Sequence, residues 1–339
     1  MIILLKLCIF IFYSIITFGY SFEELNKNIL SGGVPRDGIP AIGAPEYIRV
    51  EDGKKIMRDG DIVFLWEGDD FIKIIPQKIL VWHEIINDKV GGREVAITYC
   101  PLTSTVIGYK ISGTTMGVSG KLLNSNLVMY DRKTKSLWPQ IMGVSIEGKR
   151  KGEELEQFPL VWTTWERAKK KYPDAYVLSQ KTGAIRNYQR DPYGNFSDKN
   201  SYYNKGGSFF PLMAKSDRLS PKTVVRGLAG EESQAAVSWY EVKRKKIVNI
   251  DIKEIKAVLF YDEELNTVRG FSRIFEGDEL KFEMTDGKIV DDVKKRVWNY
   301  KGESGKHYLD HYKGMDAFWF AWYAFYPDTA VGDSSDKFE

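Results

Sequence analysis

Glu94-Val95-Ala96-Ile97-Thr98-Tyr99 runs into Cys100-Pro101, and this stretch reads as a β-strand. The run is short and apolar, Val90-Gly91-Gly92 supplies a turn into it, and Pro101 breaks the ladder at its end. Working outward, 106–111, 115–119 and 127–130 continue a β-meander, with turn chemistry at 112–113, 121–126 and 131–135. Upstream, 61–66 and 71–75 are apolar runs split by Glu67-Gly68-Asp69-Asp70, a hairpin signal. Pro76 opens a short helical stretch towards His83. The clearest helix is 163–172, with Thr163 or Thr164 as its cap and Pro173 as its stop.

The pattern returns downstream. Ile85-Ile86-Asn87 is echoed by Ile247-Val248-Asn249, 95–99 by 257–261, and Gly108-Tyr109 by Gly270-Phe271, all at one offset. Trp138 pairs with Trp298, Trp165 with Trp319, and Pro173-Asp174 with Pro327-Asp328. Collinear matches of this kind argue for a duplicated unit. The expected fold is α+β, mainly β, with two tandem sequence-related β-rich units and a few short helices. Its expected divisions are a signal peptide at 1–21, an irregular lead-in at 22–55 and a first β-rich repeat at 56–179. An aromatic connector at 180–222, a second, degenerate repeat at 223–330 and a polar tail at 331–339 follow. The second copy has Asp262 where the first has Cys100, and it has no counterpart of His83.

The chain has 339 residues, 43% hydrophobic and 28% charged, which is ordinary for a globular protein. Residues 1–21 carry one charge, Lys6, then an uncharged run and the small residues Gly19 and Ser21. That suits a secretory signal better than a span of about twenty apolar residues. The expected location is therefore exported, periplasmic or extracellular. Removing the leader takes Lys6 and leaves 48 basic against 46 acidic residues, a balance of +2. A near-neutral chain with mixed signs excludes an electrostatic footprint for nucleic acid. The leader also takes Cys8, so Cys100 becomes the sole cysteine and no intramolecular disulfide is available.

The candidate chemistry concentrates between Val81 and Gln140. Beside His83, Cys100 would be a thiolate nucleophile activated by the imidazole; otherwise it is a small buried hydrophobe. On a helix, His83, Glu84 and Asn87 would share a face and bring imidazole, carboxylate and amide together. The alternative is that His83 and Asn87 tie down a turn. Asp131 joins the catalytic candidates, either as a support or as the partner of Arg132 in an internal ion pair. Ser119, Asn124, Arg132, Trp138, Tyr193 and Tyr202 are the candidate binding residues, the last two in an aromatic wall that either faces a ligand or packs between modules. His83 and Cys100 are the candidate ligands of a transition metal. His307 and His311 are four apart, but Lys306 and Tyr308 flank His307 where a metalloprotease pattern needs Glu, so they are the weaker pair. No phosphate loop, dinucleotide fingerprint or nucleophile elbow is present.

Several of these motifs carry a resemblance. Val81-Trp82-His83-Glu84-Ile85-Ile86-Asn87-Asp88, Thr98-Tyr99-Cys100-Pro101-Leu102, Gly117-Val118-Ser119-Gly120-Lys121-Leu122 and Asn124-Ser125-Asn126-Leu127-Val128-Met129-Tyr130-Asp131-Arg132 resemble the bacterial and archaeal family catalogued as domain of unknown function 3179. So do Ser136-Leu137-Trp138-Pro139-Gln140 and Phe318-Trp319-Phe320-Ala321-Trp322. The resemblance implies kinship over nearly the whole mature chain rather than a reaction. The family pattern usually reads Cys-Pro-Leu-Cys, whereas Thr103 stands at its second cysteine here, so a dithiol pair is unavailable. Two functions follow as expectations: an envelope enzyme or metal-assisted site using His83 and Cys100, or a non-catalytic module binding a small molecule, a glycan or a protein partner of the envelope.

Overall fold

The computed structural model describes residues 19–68 and 70–332. Residues 1–18 of the expected leader, with Cys8, lie outside them, as do Asp69 of the expected hairpin and 333–339 of the expected tail. The fold is mainly β, with 40% of residues in strands and 11% in helices. Six short helices are found among the described residues, and none is long and apolar enough to cross a membrane.

The first half opens with a five-stranded sheet in the order Val161–Thr164, Ile62–Glu67, Ile72–Pro76, Tyr176–Leu178, Tyr47–Arg49. The hairpin expected around 67–70 pairs Leu65 with Ile74. Tyr176–Leu178 joins Ile72–Pro76 in parallel, reached through the helix Trp165–Lys171. Ile85–Val90, Arg93–Cys100 and Thr105–Ile111 then form the meander. Val95 to Cys100 are all buried, which is why this strand reads as a continuous apolar run rather than an alternating one. A further sheet holds Met116–Leu123, Asn126–Asp131 and Leu137–Pro139, edged by Leu30–Ser31. The turn expected over 121–126 is shorter than the residue chemistry suggested: the strand runs on to Leu123, and Asn124 and Ser125 alone take positive φ of 52° and 63°.

The second half has a sheet in the order Gly314–Phe318, Val224–Ala229, Gln234–Ser238, Ala330–Gly332. Its first three strands are antiparallel neighbours and its fourth joins in parallel, the same order and sense as the first four strands of the opening sheet. Ile247–Ile252, Ile255–Asp262 and Thr267–Ser272 form the next meander, and Phe282–Thr285, Lys288–Asp291 and Val297–Trp298 a small sheet after it. Two expected boundaries shift. The lead-in is not wholly irregular, since it holds the helices Phe22–Lys27 and Val50–Gly53 and two strands that add edges to first-half sheets. Val331 and Gly332 belong to a strand rather than to a polar tail.

One hydrophobic cluster spans both halves, joining Met116, Met129 and Trp138 to Val225, Ala236, Trp319 and Trp322. Each buried indole removes roughly 150–250 Å² from water, worth on the order of 4–6 kcal/mol at about 25 cal/mol/Å². Trp322 lies so close over Gly227 that a Cβ there would sit 2.2 Å from its ring. Residues 180–222 contain no helix or strand. Their rings nonetheless pack inward: Tyr188, Tyr202 and Tyr203 are buried, and Phe196 stacks on Tyr203 at 3.8 Å and 12°. The connector is held by packing instead of by a backbone ladder.

Candidate functional site

The chain leaves the helix Gln77–Leu80 through a turn that ends at Glu84. There the backbone takes φ +57°, the amide donates to Leu80 at 2.7 Å, and the carbonyl accepts from Tyr99 at 2.7 Å. This left-handed residue stops the helix, and Asn87 lies on the strand Ile85–Val90. His83, Glu84 and Asn87 therefore do not share a helix face. In the second half Lys246 has φ +69° and makes the same pattern of bonds, to Val242 and Tyr261 at 2.8 and 2.9 Å. The turn is thus a feature of the fold. The side chains differ: Lys246 pairs with Glu263 at the surface, whereas Glu84 is buried and burial alone pushes its carboxyl up to about 8.

Cys100 ends its strand at 1% exposure, with its thiol 3.7 Å from the Ser125 carbonyl. Burial, with the Glu84 carboxyl second, pushes the thiol up to about 11, and hydrogen bonding to Thr103 opposes them. Lys222, at the end of the connector, is coupled electrostatically to Cys100. Its Nζ lies 3.2 Å from the Tyr202 ring centroid, 4.6 Å from Phe318 and 5.0 Å from Phe320. The Nζ is buried without a hydrogen-bond partner although the residue is half-buried, and burial pushes the amine down to about 7. Tyr202 donates to the Leu102 carbonyl at 2.8 Å. Tyr193 packs on Tyr202 at 5.7 Å, and both phenols are raised, chiefly by burial. Tyr193 feels the charges of Glu84 and Cys100, and Tyr202 lies between the Cys100 field and the Lys222 amine, so the two rings pack inward instead of forming an open wall.

His83 stands apart. Its Nδ1 lies 2.7 Å from the Pro40 carbonyl and its Nε2 2.7 Å from the Tyr188 hydroxyl. A carbonyl only accepts, so Nδ1 carries the proton and Nε2 receives the phenol proton. Burial pushes the imidazole below its ordinary value. Both ring nitrogens are thereby committed, and no bond joins this ring to Cys100. His307 and His311 are also apart from any helix: His307 is in a two-residue strand beside Glu276 at 3.3 Å, and His311 bridges to Phe271. The helical spacing considered for them does not form. Among the described residues no three His, Cys, Asp or Glu side chains converge as a metal donor set.

The other candidates have local structural work. Asn87 clamps the next sheet, donating to Met116 O at 2.9 Å and accepting from Met116 N at 2.7 Å. Asn249 makes the same pair with Phe282 at 2.8 and 2.9 Å. Asp131 accepts from Thr134 N at 2.6 Å and from the Trp138 indole at 3.4 Å, and Asp291 holds Trp298 at 2.9 Å. Arg132 does not pair with Asp131; it grips Asp37 at 2.9 and 2.8 Å. Ser119 bonds the Val128 carbonyl at a strand irregularity. Asn124 ties the Ala324 carbonyl to the Met213 amide at 2.9 and 2.8 Å.

Two features had no sequence signal of their own. Lys222 is remote from Cys100 in the chain, and only the connector's path delivers it. Behind the thiol, Asn126 donates to Thr103 Oγ1 at 2.9 Å and Gln140 Oε1 at 2.8 Å, and Gln140 donates to Thr98 Oγ1 at 3.1 Å. This network is buried and satisfied. In the second half, Asp262 stands at the Cys100 offset and pairs with Arg269 at 3.1 Å, which grips Glu67 at 2.7 Å. The charges there are paired; around Cys100 they are not.

A profile of the family described as protein of unknown function (DUF3179) matches residues 36–329. Comparison with curated proteins and with solved structures returns no match. The matched region contains Glu84, Cys100 and Lys222 and nearly all of both halves of the fold, and the chain belongs to that family.

Proposed function

We propose that this is an exported protein whose working centre is the buried cluster of Glu84, Cys100 and Lys222, an enzyme site that moves protons on a small substrate. The observation that carries this reading is the buried carboxyl of Glu84, raised by desolvation with no compensating bond, where its counterpart Lys246 is partly exposed and paired. Unpaired buried ionisable groups cost stability and cluster at functional sites. A carboxyl near 8 and an amine near 7 are matched to donating and accepting protons at neutral pH. Cys100 serves as a protonated wall of the site, and His83 as a brace for the connector. Export rests on the leader-like stretch 1–21. The matched strand orders and the Asn87 and Asn249 clamps support reading the halves as tandem copies.

The test is solvent exchange, which needs no foreknowledge of the product. The protein is incubated in deuterated buffer at pH 7 with pools of small carbonyl and hydroxy acids, and deuterium uptake is read by mass spectrometry. Uptake that disappears in Glu84→Gln and Lys222→Met but survives in Cys100→Ser supports the reading. Uptake untouched by the first two variants contradicts it.

A binding module is the second reading. It is favoured by a cavity of about 510 Å³ under the connector, lined by Gln77, Lys78, Asp191, Tyr188 and Phe196. Carboxylate and amide groups beside aromatic rings suit a hydroxyl-rich ligand such as a glycan.

A further inference from the structure

We propose that the cleft between the two halves is a separate binding site for a small carboxylate with an apolar body. The cavity has a volume of about 430 Å³, within the range of roughly 300–1,000 Å³ common to small-molecule sites. One wall comes from the first half through Phe158 and Leu160, and the other from the second half through Arg226, Arg269 and His311. Neither Glu84, Cys100 nor Lys222 lines it.

The charge arrangement selects the head group. Arg226 is held by Asp316 at 2.9 and 3.0 Å and donates to the Val268 carbonyl at 2.6 Å. Its Nη1 takes no partner among the described residues. Arg269 is held by Glu67 and Asp262. The guanidiniums line the cavity and their counter-carboxylates Asp316, Glu67 and Asp262 do not; the two carboxylates that do line it are neutralised, Glu154 by Lys313 and Glu156 by Lys110. Fixed in this way, the two arginines keep their orientation at no further entropic cost when a ligand arrives.

His311 sits beside them with its ring stacked on Phe271 at 5.0 Å and 28°. Its imidazole makes no side-chain hydrogen bond among the described residues. The residue is exposed at the mouth of the cleft; desolvation against the cleft wall, then the Arg269 and Arg226 guanidiniums, push its imidazole down, so at neutral pH it offers one N–H without adding charge. The cleft is spanned by the Lys313–Glu154 ion pair and by a 3.2 Å bond from Gly314 N to Gln157. The Lys313–Glu154 pair is partly exposed, and exposed pairs contribute about 0–1 kcal/mol, a weak clasp that a ligand can part.

The experiment uses the full mature chain with anilinonaphthalene sulfonate, whose fluorescence rises in an apolar site, displaced by decanoate or by decylamine. Saturable one-to-one binding is expected, displaced by decanoate at least tenfold more effectively than by the amine of equal length. His311→Leu should weaken decanoate about tenfold, the worth of one hydrogen bond. No saturable binding, equal displacement by acid and amine, or an unchanged His311→Leu affinity would overturn the proposal. Should that variant fail to fold, the acid-against-amine comparison on the unaltered protein decides alone.

Discussion

Replacing Glu84 by Gln keeps the shape of the side chain and removes its ionisation. In the unfolded chain the carboxyl titrates near 4.5, and in the fold burial moves it up to about 8. The folded state therefore holds a proton that the unfolded state has lost between those values, and stability falls as pH rises through that window. At about 1.4 kcal/mol per tenfold change in proton affinity, the loss is on the order of 3 kcal/mol by pH 7 and 5 kcal/mol above pH 8. Glu84→Gln does not titrate, so it should match the natural protein near pH 4.5 and exceed it increasingly towards pH 8. Urea unfolding of both proteins at pH 5, 6, 7 and 8, each with its midpoint and slope, measures the difference directly. Parallel stability curves across that range would refute the reasoning, because they would mean that the carboxyl is solvated or paired.

The complementary variant is Lys222→Met. The amine is lowered in the fold to about 7 from 10.5, so its cost is full below pH 7 and fades as pH rises towards 10.5. The variant's gain in melting temperature should be largest at pH 6 and shrink by pH 10. Alkylation of Cys100 by iodoacetamide at pH 8 should run about a hundredfold slower than that of a free thiol, since a thiol near 11 is almost wholly protonated; a rate near the free-thiol value contradicts its burial. Asn87→Ala leaves the Met116 amide and carbonyl buried and unpaired and should cost about 2–4 kcal/mol. Asn249→Ala removes the same clamp at a more open site and should cost less, both read from denaturant midpoints. Tyr188→Phe strips His83 of its donor and should cost about 1–2 kcal/mol without altering exchange activity.

Much of the frame was legible because local chemistry and tertiary demand agree there. The strand into Cys100 is apolar on both faces since it lies between packed layers, and Pro173 ends a helix wherever that helix sits. The segment 82–88 misled because its helix is closed by a left-handed residue that is neither Gly nor Asn, a choice settled by the bond from Tyr99 to the Glu84 carbonyl. Arg132 misled for a related reason. A charged neighbour in sequence, Asp131, is committed to a turn and an indole, and the true partner, Asp37, arrives from the lead-in 95 positions away. The polar residues of the window looked alike in sequence. The bonds of Asn87 and Asp131 have close likenesses at Asn249 and Asp291 in the second half, whereas the surroundings of Glu84 and Cys100 have none there. Lys222 could not be read at all, because nothing in Pro221-Lys222-Thr223 signals a cage of rings.

The most direct measurement is a carbon-13 NMR titration of the folded protein labelled at its glutamate side-chain carboxyls, with Glu84→Gln used to assign the resonance. A midpoint near 8 for Glu84 is the result the account requires. A midpoint near 4.5 would place that carboxyl in water or against a cation, and the buried cluster would lose its claim to be the working centre.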